Sequence, residues 1–197
     1  MFFIMKSCNK RLLLLVAWLL LSTIMPAQDL PILPFDKAVK TGVLPNGTNY
    51  YIVTNPNVKG VADFALVQMT GTENIPDTAS YKALSAARDA LTALPRCGGG
   101  SVQEFFTSHG VTPGRDGFVK VTDNTTEFRF SDVLLSGPEV LDSALLVILD
   151  MVDRVSVSDD PFLKKWYSPS DQAVIVAGDV DAASVVGKLK MMSYMTP

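Results

Sequence analysis

The chain has 197 residues, of which 48% are hydrophobic, and a formal net charge of −3 at pH 7. This length fits one domain of ordinary size once an N-terminal targeting segment is set aside. The acidic balance argues against nucleic acid as a partner, because phosphate binding needs a basic face that this sequence does not assemble.

The N-terminus has the pattern of a secretory signal peptide. Basic residues within the first eleven positions precede a nearly uncharged apolar stretch from Leu12 to Met25. A membrane span needs about 20 apolar residues, so this stretch predicts a signal peptide over residues 1–28, cleaved after Ala27 or Gln28. An uncleaved membrane anchor is the alternative, since Ile24 stands where a small residue is usual before a cleavage site. The expected location is secreted or periplasmic.

Residues 29–197 are predicted to form a single domain. They carry 14 basic and 20 acidic side chains, which gives a net charge of about −6. Cys97 is the only cysteine left after processing, so no intrachain disulfide can form even in an oxidising compartment. The stability of this domain must come from its hydrophobic core.

The first half of the domain reads as strands followed by a helix. Residues 29–41 are punctuated by proline and predict an extended leader. Asn46-Gly47 lies between the apolar runs Val43-Leu44 and Tyr50–Val53, and Asn-Gly is a strong hairpin signal because both residues tolerate positive φ. Val61–Met69 is a further strand candidate. Apolar residues at intervals of three and four then predict a helix over Thr78–Leu94.

The second half continues this mixture of strands and helices. A helix is predicted from an N-cap at Ser101 to His109, ending at Gly110. The remaining predicted elements are the strands Phe118–Thr122 and Thr126–Phe130, the long helix Pro138–Val155, the strand Gln172–Ala177 and the helix Ala182–Met192. This order predicts an α+β fold, in which helices cover one face of a mostly antiparallel sheet.

Three segments, in the order of the family, resemble the N-terminal domain of the insulinase, or pitrilysin-type, zinc metallopeptidases. Thr41–Ile52 is similar to the family's leucine-proline-asparagine-glycine hairpin. Phe105–Val111, with Gly114 and Thr122–Phe130, resembles its helix-glycine-strand passage. Lys165–Asp181 is the most specific of the three. The resemblance implies an insulinase-type peptidase-like fold for residues 29–197, in a shortened form.

The chemistry of that family resides in the motif His-x-x-Glu-His on one helix. Two histidines grip one Zn²⁺ and the glutamate acts as base on the metal-bound water. Counting back without gaps from Phe105-Phe106 places Leu84 at the first histidine, Ala87 at the glutamate and Arg88 at the second histidine. Leucine and alanine cannot bind zinc, and the permanent charge of arginine repels it.

Two further departures weaken the catalytic pattern. The segment that carries the third zinc ligand of the family, a glutamate, is missing between Ser158–Phe162 and Leu163–Trp166. Phe118–Val121 stands where the family usually has Asn-Ala-Tyr-Thr beside the cleft. The sequence therefore predicts no catalytic residues, no metal ligands and no cofactor, although zinc would be expected for the family.

Other residues that invite a chemical role also have ordinary interpretations. His109, the only histidine, is predicted to interact with the carbonyls at a helix C-terminus. Cys97 has no neighbouring base to activate it, which favours an unreactive thiol. Gly98–Gly100 lacks the Lys-Ser/Thr of a phosphate-binding loop and favours a flexible loop.

Four polar residues are assigned to turns and caps. We expect Asp179 to close a turn and Asp181 to cap the last helix, rather than to act as carboxylate catalysts. Asn46 and Asn124 begin glycosylation acceptor sequences, but both fit turn chemistry equally well.

The favoured hypothesis is a secreted, catalytically inactive insulinase-family domain that acts as a structural or binding subunit. By resemblance, its partner would be an active subunit of the same family or an extended peptide held at a sheet edge. One alternative is an active zinc metallopeptidase whose missing ligands come from a partner. The other is a truncated relative with no function of its own.

Overall fold

In a computed structural model, the described residues are 36–74, 100–113, 117–157 and 165–194; the side chains of residues 74 and 154–157 are not described. Within these ranges the chain forms six strands and three α-helices. The strands are β1 (Val39–Val43), β2 (Asn49–Thr54), β3 (Val61–Gln68), β4 (Val119–Val121), β5 (Thr126–Leu134) and β6 (Gln172–Gly178). The helices are α1 (Val102–Ser108), α2 (Pro138–Val157) and α3 (Ala182–Tyr194).

The strands form one mixed sheet in the order β1-β2-β6-β3-β5-β4. Every neighbouring pair is antiparallel except β2 and β6, which run parallel. The last of the described strands, β6, therefore lies between β2 and β3. This arrangement confirms the predicted α+β class with a mostly antiparallel sheet.

One face of the sheet carries the hydrophobic core. Alternate residues of the strands, among them Phe64, Phe130 and Val176, are at most 1% exposed on this face. Phe106 of α1 stacks on Phe130 with ring centroids 3.8 Å apart, and Leu145 of α2 belongs to the same core cluster. The described helices thus pack on one face of the sheet, as predicted.

The β1–β2 hairpin forms as predicted but with a different turn. Gly47 has φ +93°, whereas Asn46 is not among the described residues with positive φ. The Gly47 amide donates to Leu44 O at 2.9 Å, and Asn46 Oδ1 accepts from the Thr48 amide. Pro45, the first central residue of the turn, has its φ fixed near −65° by its ring. The hairpin therefore has a type I turn followed by a left-handed glycine, instead of the predicted turn in which both central residues have positive φ.

The first strand begins earlier than the sequence predicts. Residues 39–41 are predicted to belong to an extended leader, but in the structure Val39 pairs with Val53 of β2 and Thr41 pairs with Tyr51. The sequence signal is weak because β1 is an edge strand, and its residues Lys40 and Thr41 are exposed. Exposure removes the apolar alternation by which a half-buried strand is recognised.

A β-bulge lets β5 extend beyond its predicted end. Phe64 pairs with Phe130, but Ala62 pairs with Val133, so one extra residue of β5 is accommodated between these pairs. Asp132 adopts φ 58° there, and its amide donates to Asp63 Oδ1 at 2.8 Å. The bulge returns Val133 to the buried face, which keeps β5 in register up to Leu134.

Candidate functional site

The degenerate motif positions Leu84, Ala87 and Arg88 lie outside the described residues, as do Cys97, Gly98 and Gly99. The described chain before them is anchored to the β4–β5 turn. The amides of Thr72 and Glu73 donate to Thr122 O and Asp123 O at 3.0 and 2.8 Å. The absence of zinc ligands at these positions stays a prediction from the sequence.

The chain after the motif region enters α1 through a capping box. Ser101 Oγ accepts from the Glu104 amide at 3.1 Å, and Glu104 Oε2 accepts from the Ser101 amide at 2.9 Å. Gly100 precedes the cap with φ +89°, which a glycine adopts at low cost. The predicted N-cap at Ser101 is confirmed, and the last of the three glycines has a conformational role.

His109 has the helix-terminal role that the sequence predicts. Its Nδ1 lies 2.8 Å from Phe105 O, one turn earlier in the chain. A carbonyl only accepts, so Nδ1 carries the proton in this contact. Gly110 follows with φ +89° and ends the helix. The ring nitrogen is therefore engaged with the backbone of its own helix.

The two aspartates after β6 are structural as well. Asp181 Oδ2 accepts from the Ser184 amide at 2.9 Å, which confirms that Asp181 caps α3. Asp179 Oδ2 accepts from the Gly60 amide at 2.9 Å and therefore fixes the loop between β2 and β3. Lys59 Nζ lies 3.7 Å from the other carboxylate oxygen of Asp179.

Both glycosylation acceptor sequences are in turns. Asn46 lies in the β1–β2 turn, and the Asn124 amide donates to Thr122 Oγ1 in the β4–β5 turn. Thr48 and Thr126, the hydroxyl residues of the two sequences, are 0% exposed. The folded chain therefore withholds the threonine of each acceptor sequence from solvent.

A row of buried polar residues crosses the sheet on its core face and was not predicted. Gln172 of β6 pairs with Gln68 of β3, which pairs with Thr126 of β5. All three are at most 1% exposed, and the next row on the same face is apolar: Val174, Leu66 and Phe128. The sequence signal that could have predicted this row is a glutamine or threonine at a strand position where the alternation calls for an apolar side chain.

Gln68 and Thr126 of this row, together with Thr70, hold the segment that leads into β6. Thr70 Oγ1 donates to Trp166 O at 2.6 Å, and Gln68 Nε2 donates to the same oxygen at 3.3 Å. Thr126 Oγ1 donates to Thr70 O at 2.9 Å. Buried amides and hydroxyls need such partners, so we assign Gln68, Thr70 and Thr126 a structural role in positioning Trp166.

Tyr167 lies beside the same row and is 4% exposed. Burial raises the pKa of Tyr167 above its ordinary value of 10.0, because the phenolate loses hydration, and a hydrogen bond with the Thr126 side chain lowers it in part. A phenol with a raised pKa stays protonated at neutral pH. It can donate a hydrogen bond there but cannot act as a base.

Among the described residues, no group of three or more His, Cys, Asp or Glu side chains could hold a metal ion. The residues at the three motif positions do not suit zinc either, since none of them offers a donor atom for the metal. Among the described strands, β1 and β4 are the edges of the sheet, the position at which an extended chain can add a strand.

Solved structures share this fold. The chain superposes on the first half of the periplasmic protease PqqL from Escherichia coli with a TM-score of 0.68 and 18% identity, covering 84% of this chain and 47% of that one. A predicted insulinase family protease from Yersinia pestis gives 0.63 and 17%, covering 85% and 48%. The peptidase M16 inactive domain from Pseudomonas fluorescens gives 0.55 and 11%, covering 81% and 51%.

These matches show that the chain has the fold of an insulinase-type (M16) peptidase domain, as the sequence predicted. The chain spans about half the length of these three structures. A scan against models of protein families gave no match, and neither did a search of curated proteins. Within the described ranges, no helix is long and apolar enough to cross a membrane.

Proposed function

We propose that the chain is a catalytically inactive insulinase-type domain that acts as a structural or binding subunit. One observation carries the proposal: the described residues keep the fold of the family, whereas the sequence has Leu84, Ala87 and Arg88 at the motif positions. A scaffold that is retained without its metal donors can still present surfaces to a partner. It cannot activate a water molecule by the zinc chemistry of the family.

We further propose that the domain is exported to a secreted or periplasmic location. The basic start and the apolar stretch Leu12–Met25 support export. The solved neighbour from Escherichia coli is described as a periplasmic protease, which supports the same compartment. An export assay with residues 1–28 fused to a reporter that is active only outside the cytoplasm tests this location.

The partner that we propose is either an active insulinase-family subunit or an extended peptide held at a sheet edge. The Pseudomonas fluorescens neighbour is described as an inactive domain, which supports a non-catalytic role for a scaffold of this kind. The acidic composition of this chain gives no support to nucleic acid. Co-purification with a relative that has His-x-x-Glu-His intact would distinguish a subunit from a non-functional remnant.

The inactive role is tested by zinc content and peptide cleavage. We expect the purified chain to carry far less than about one zinc per chain and to leave unfolded peptides intact, because the motif positions lack donors. About one tightly bound zinc, with cleavage that a chelator abolishes, would contradict the proposal.

A restored variant provides the matched control for this test. The triple change Leu84→His, Ala87→Glu and Arg88→His rebuilds the motif at the positions that the resemblance assigns. We expect it to take up zinc measurably while peptide cleavage stays absent, because the third ligand of the family is missing. Zinc uptake by this variant alone would confirm both the assignment of the positions and the loss of the site.

A further inference from the structure

The edge strand β1 turns a row of backbone hydrogen-bonding groups away from the other described strands. The Leu44 amide donates to Thr48 O at 2.8 Å, so the residues that exchange hydrogen bonds with β2 are the even-numbered ones of this hairpin. Backbone groups alternate in direction along an antiparallel strand, which turns those of Val39, Thr41 and Val43 outward. The Val39 amide already donates to Asp36 O, whereas no described strand pairs with the outer edge at Thr41 and Val43.

The side chains of β1 differ between the two faces of the sheet. Val39, Thr41 and Val43 share one face, on which Val43 is 58% exposed. Lys40 and Gly42 lie on the other face, where they pair with the buried residues Ile52 and Tyr50 of β2. The Tyr50 ring covers Gly42 so closely that an added Cβ would overlap the tyrosine hydroxyl.

Two exposed lysines and one exposed carboxylate, that of Asp36, lie in β1 and just before it, in a protein that is acidic overall. Lys40 is exposed within β1, and Lys37 is exposed just before it. Within the part of the chain that the structure describes, neither lysine forms a salt bridge. Lysine on an edge strand discourages pairing with another copy of the same basic edge. The same charge favours a strand that brings carboxylates to this side.

We infer that β1 is a strand-addition site for an extended acidic peptide in which acidic and β-branched apolar residues alternate. The backbone of the peptide would pair with Thr41 and Val43. Its carboxylates would lie on the face of Lys40, and its apolar side chains would lie beside Val43. This inference rests on the proposed binding role and specifies which edge is used and which class of peptide it takes.

The opposite edge of the sheet is less suited to this ligand. β4 has three residues, against five in β1, and Val119 in β4 is only 6% exposed. The neighbouring charges at that edge are mixed, since Lys120 pairs in register with Glu127 and Glu127 forms a salt bridge with Arg129. β1 is longer than β4, and its one charged residue, Lys40, is exposed and forms no salt bridge among the described residues.

The test uses the whole chain and a short blocked peptide of alternating valine and glutamate. Binding is followed by amide chemical shifts and by titration calorimetry. We expect the shifts to concentrate on Val39–Val43, and the affinity to fall as salt is added, because exposed charges are screened. A peptide of alternating valine and lysine should bind more weakly by about three- to tenfold.

Two variants isolate the backbone and the charge. Thr41→Pro removes an outward amide, which an edge strand tolerates, and should weaken binding about tenfold or more; Thr41→Ala keeps the amide and is its matched control. Lys40→Glu should reverse the preference between the glutamate and lysine peptides. Thermal melting of each variant confirms that it is folded.

The inference is overturned if the glutamate peptide leaves the β1 resonances unchanged up to about 1 mM, or if folded Thr41→Pro binds it as well as Thr41→Ala does. It is also overturned if both peptides bind equally. These results are separate from the zinc and cleavage assays. A failure of peptide binding at β1 would not contradict the inactive role of the domain. Zinc-dependent cleavage would contradict that role but not the binding of a peptide at β1.

Discussion

At the scale of single residues, two glycines differ in whether the structure requires them. Gly178 ends β6 with φ +148°, and a Cβ there would lie 2.5 Å from Ala62 Cα and 2.6 Å from Val61 O. Gly187 lies within α3, and a Cβ there would meet nothing within 4 Å. The close approach of β3 to β6 requires the first glycine, whereas the second one costs the helix conformational entropy.

We therefore predict opposite effects for one substitution at these two positions. Gly178→Ala should lower the free energy of unfolding by about 2 to 3 kcal/mol, because backbone atoms of β3 would have to move. Gly187→Ala should raise it by about 0.5 to 1 kcal/mol, since alanine favours the helix. Urea unfolding of both variants beside the parent measures this. Equal effects of the two changes would refute the assignment.

At the scale of elements, α1 shows how a short helix is held in place. It has seven residues, fewer than an isolated helix needs for stability in water. Its start is fixed by the reciprocal bonds of Ser101 and Glu104, and its centre by Phe106 stacked on Phe130. The cap satisfies helix donors that would otherwise lack a partner.

Ser101→Ala should lower the free energy of unfolding by about 1 kcal/mol, because the Glu104 amide loses its acceptor. Thr107→Ala is the matched control within the same helix. It removes an exposed hydroxyl that donates to Gln103 O, so it should change stability by less than about 0.5 kcal/mol. Chemical denaturation of the two variants provides the comparison. A loss in the control as large as that in Ser101→Ala would contradict the role of the cap.

At the scale of the whole molecule, the described sheet depends on β6. β6 lies between β2 and β3 and pairs with both, so among the described strands the two halves of the sheet meet only through it. Its residues Val174 and Val176 are 0% exposed in the core. The hairpin β1–β2 therefore joins the other described strands only once β6, at Gln172–Gly178, is in place.

We predict that a chain ending at Val157, which lacks β6 and α3, does not fold. It would leave β2 and β3 without their shared neighbour and would expose apolar residues of the core face. A chain ending at Tyr194 keeps every described element and serves as the control, which should unfold cooperatively on heating. Circular dichroism melting and the dispersion of amide resonances distinguish them. A cooperative transition in the shorter chain would show that β6 is dispensable.

Local patterns in the sequence accounted for most of the described elements. α2 and β6 match the predicted helix and strand closely, because Pro138 opens the helix and the apolar run from Gln172 is bounded by turns. The caps at Ser101 and Asp181 could also be predicted, since such bonds join residues three apart in the chain. Leu84, Ala87 and Arg88 are assigned to the zinc motif from the sequence alone. The prediction that the zinc ligands are lost rests on that assignment.

The tertiary structure decided what depends on contacts between distant residues. The placement of β6 between β2 and β3, the bulge at Asp132 and the extent of β1 all arise from strand pairing, which no local window of sequence contains. The polar row through Gln68 was missed for the same reason. Its partners come from separate strands, and its burial is set by the packing of the whole sheet.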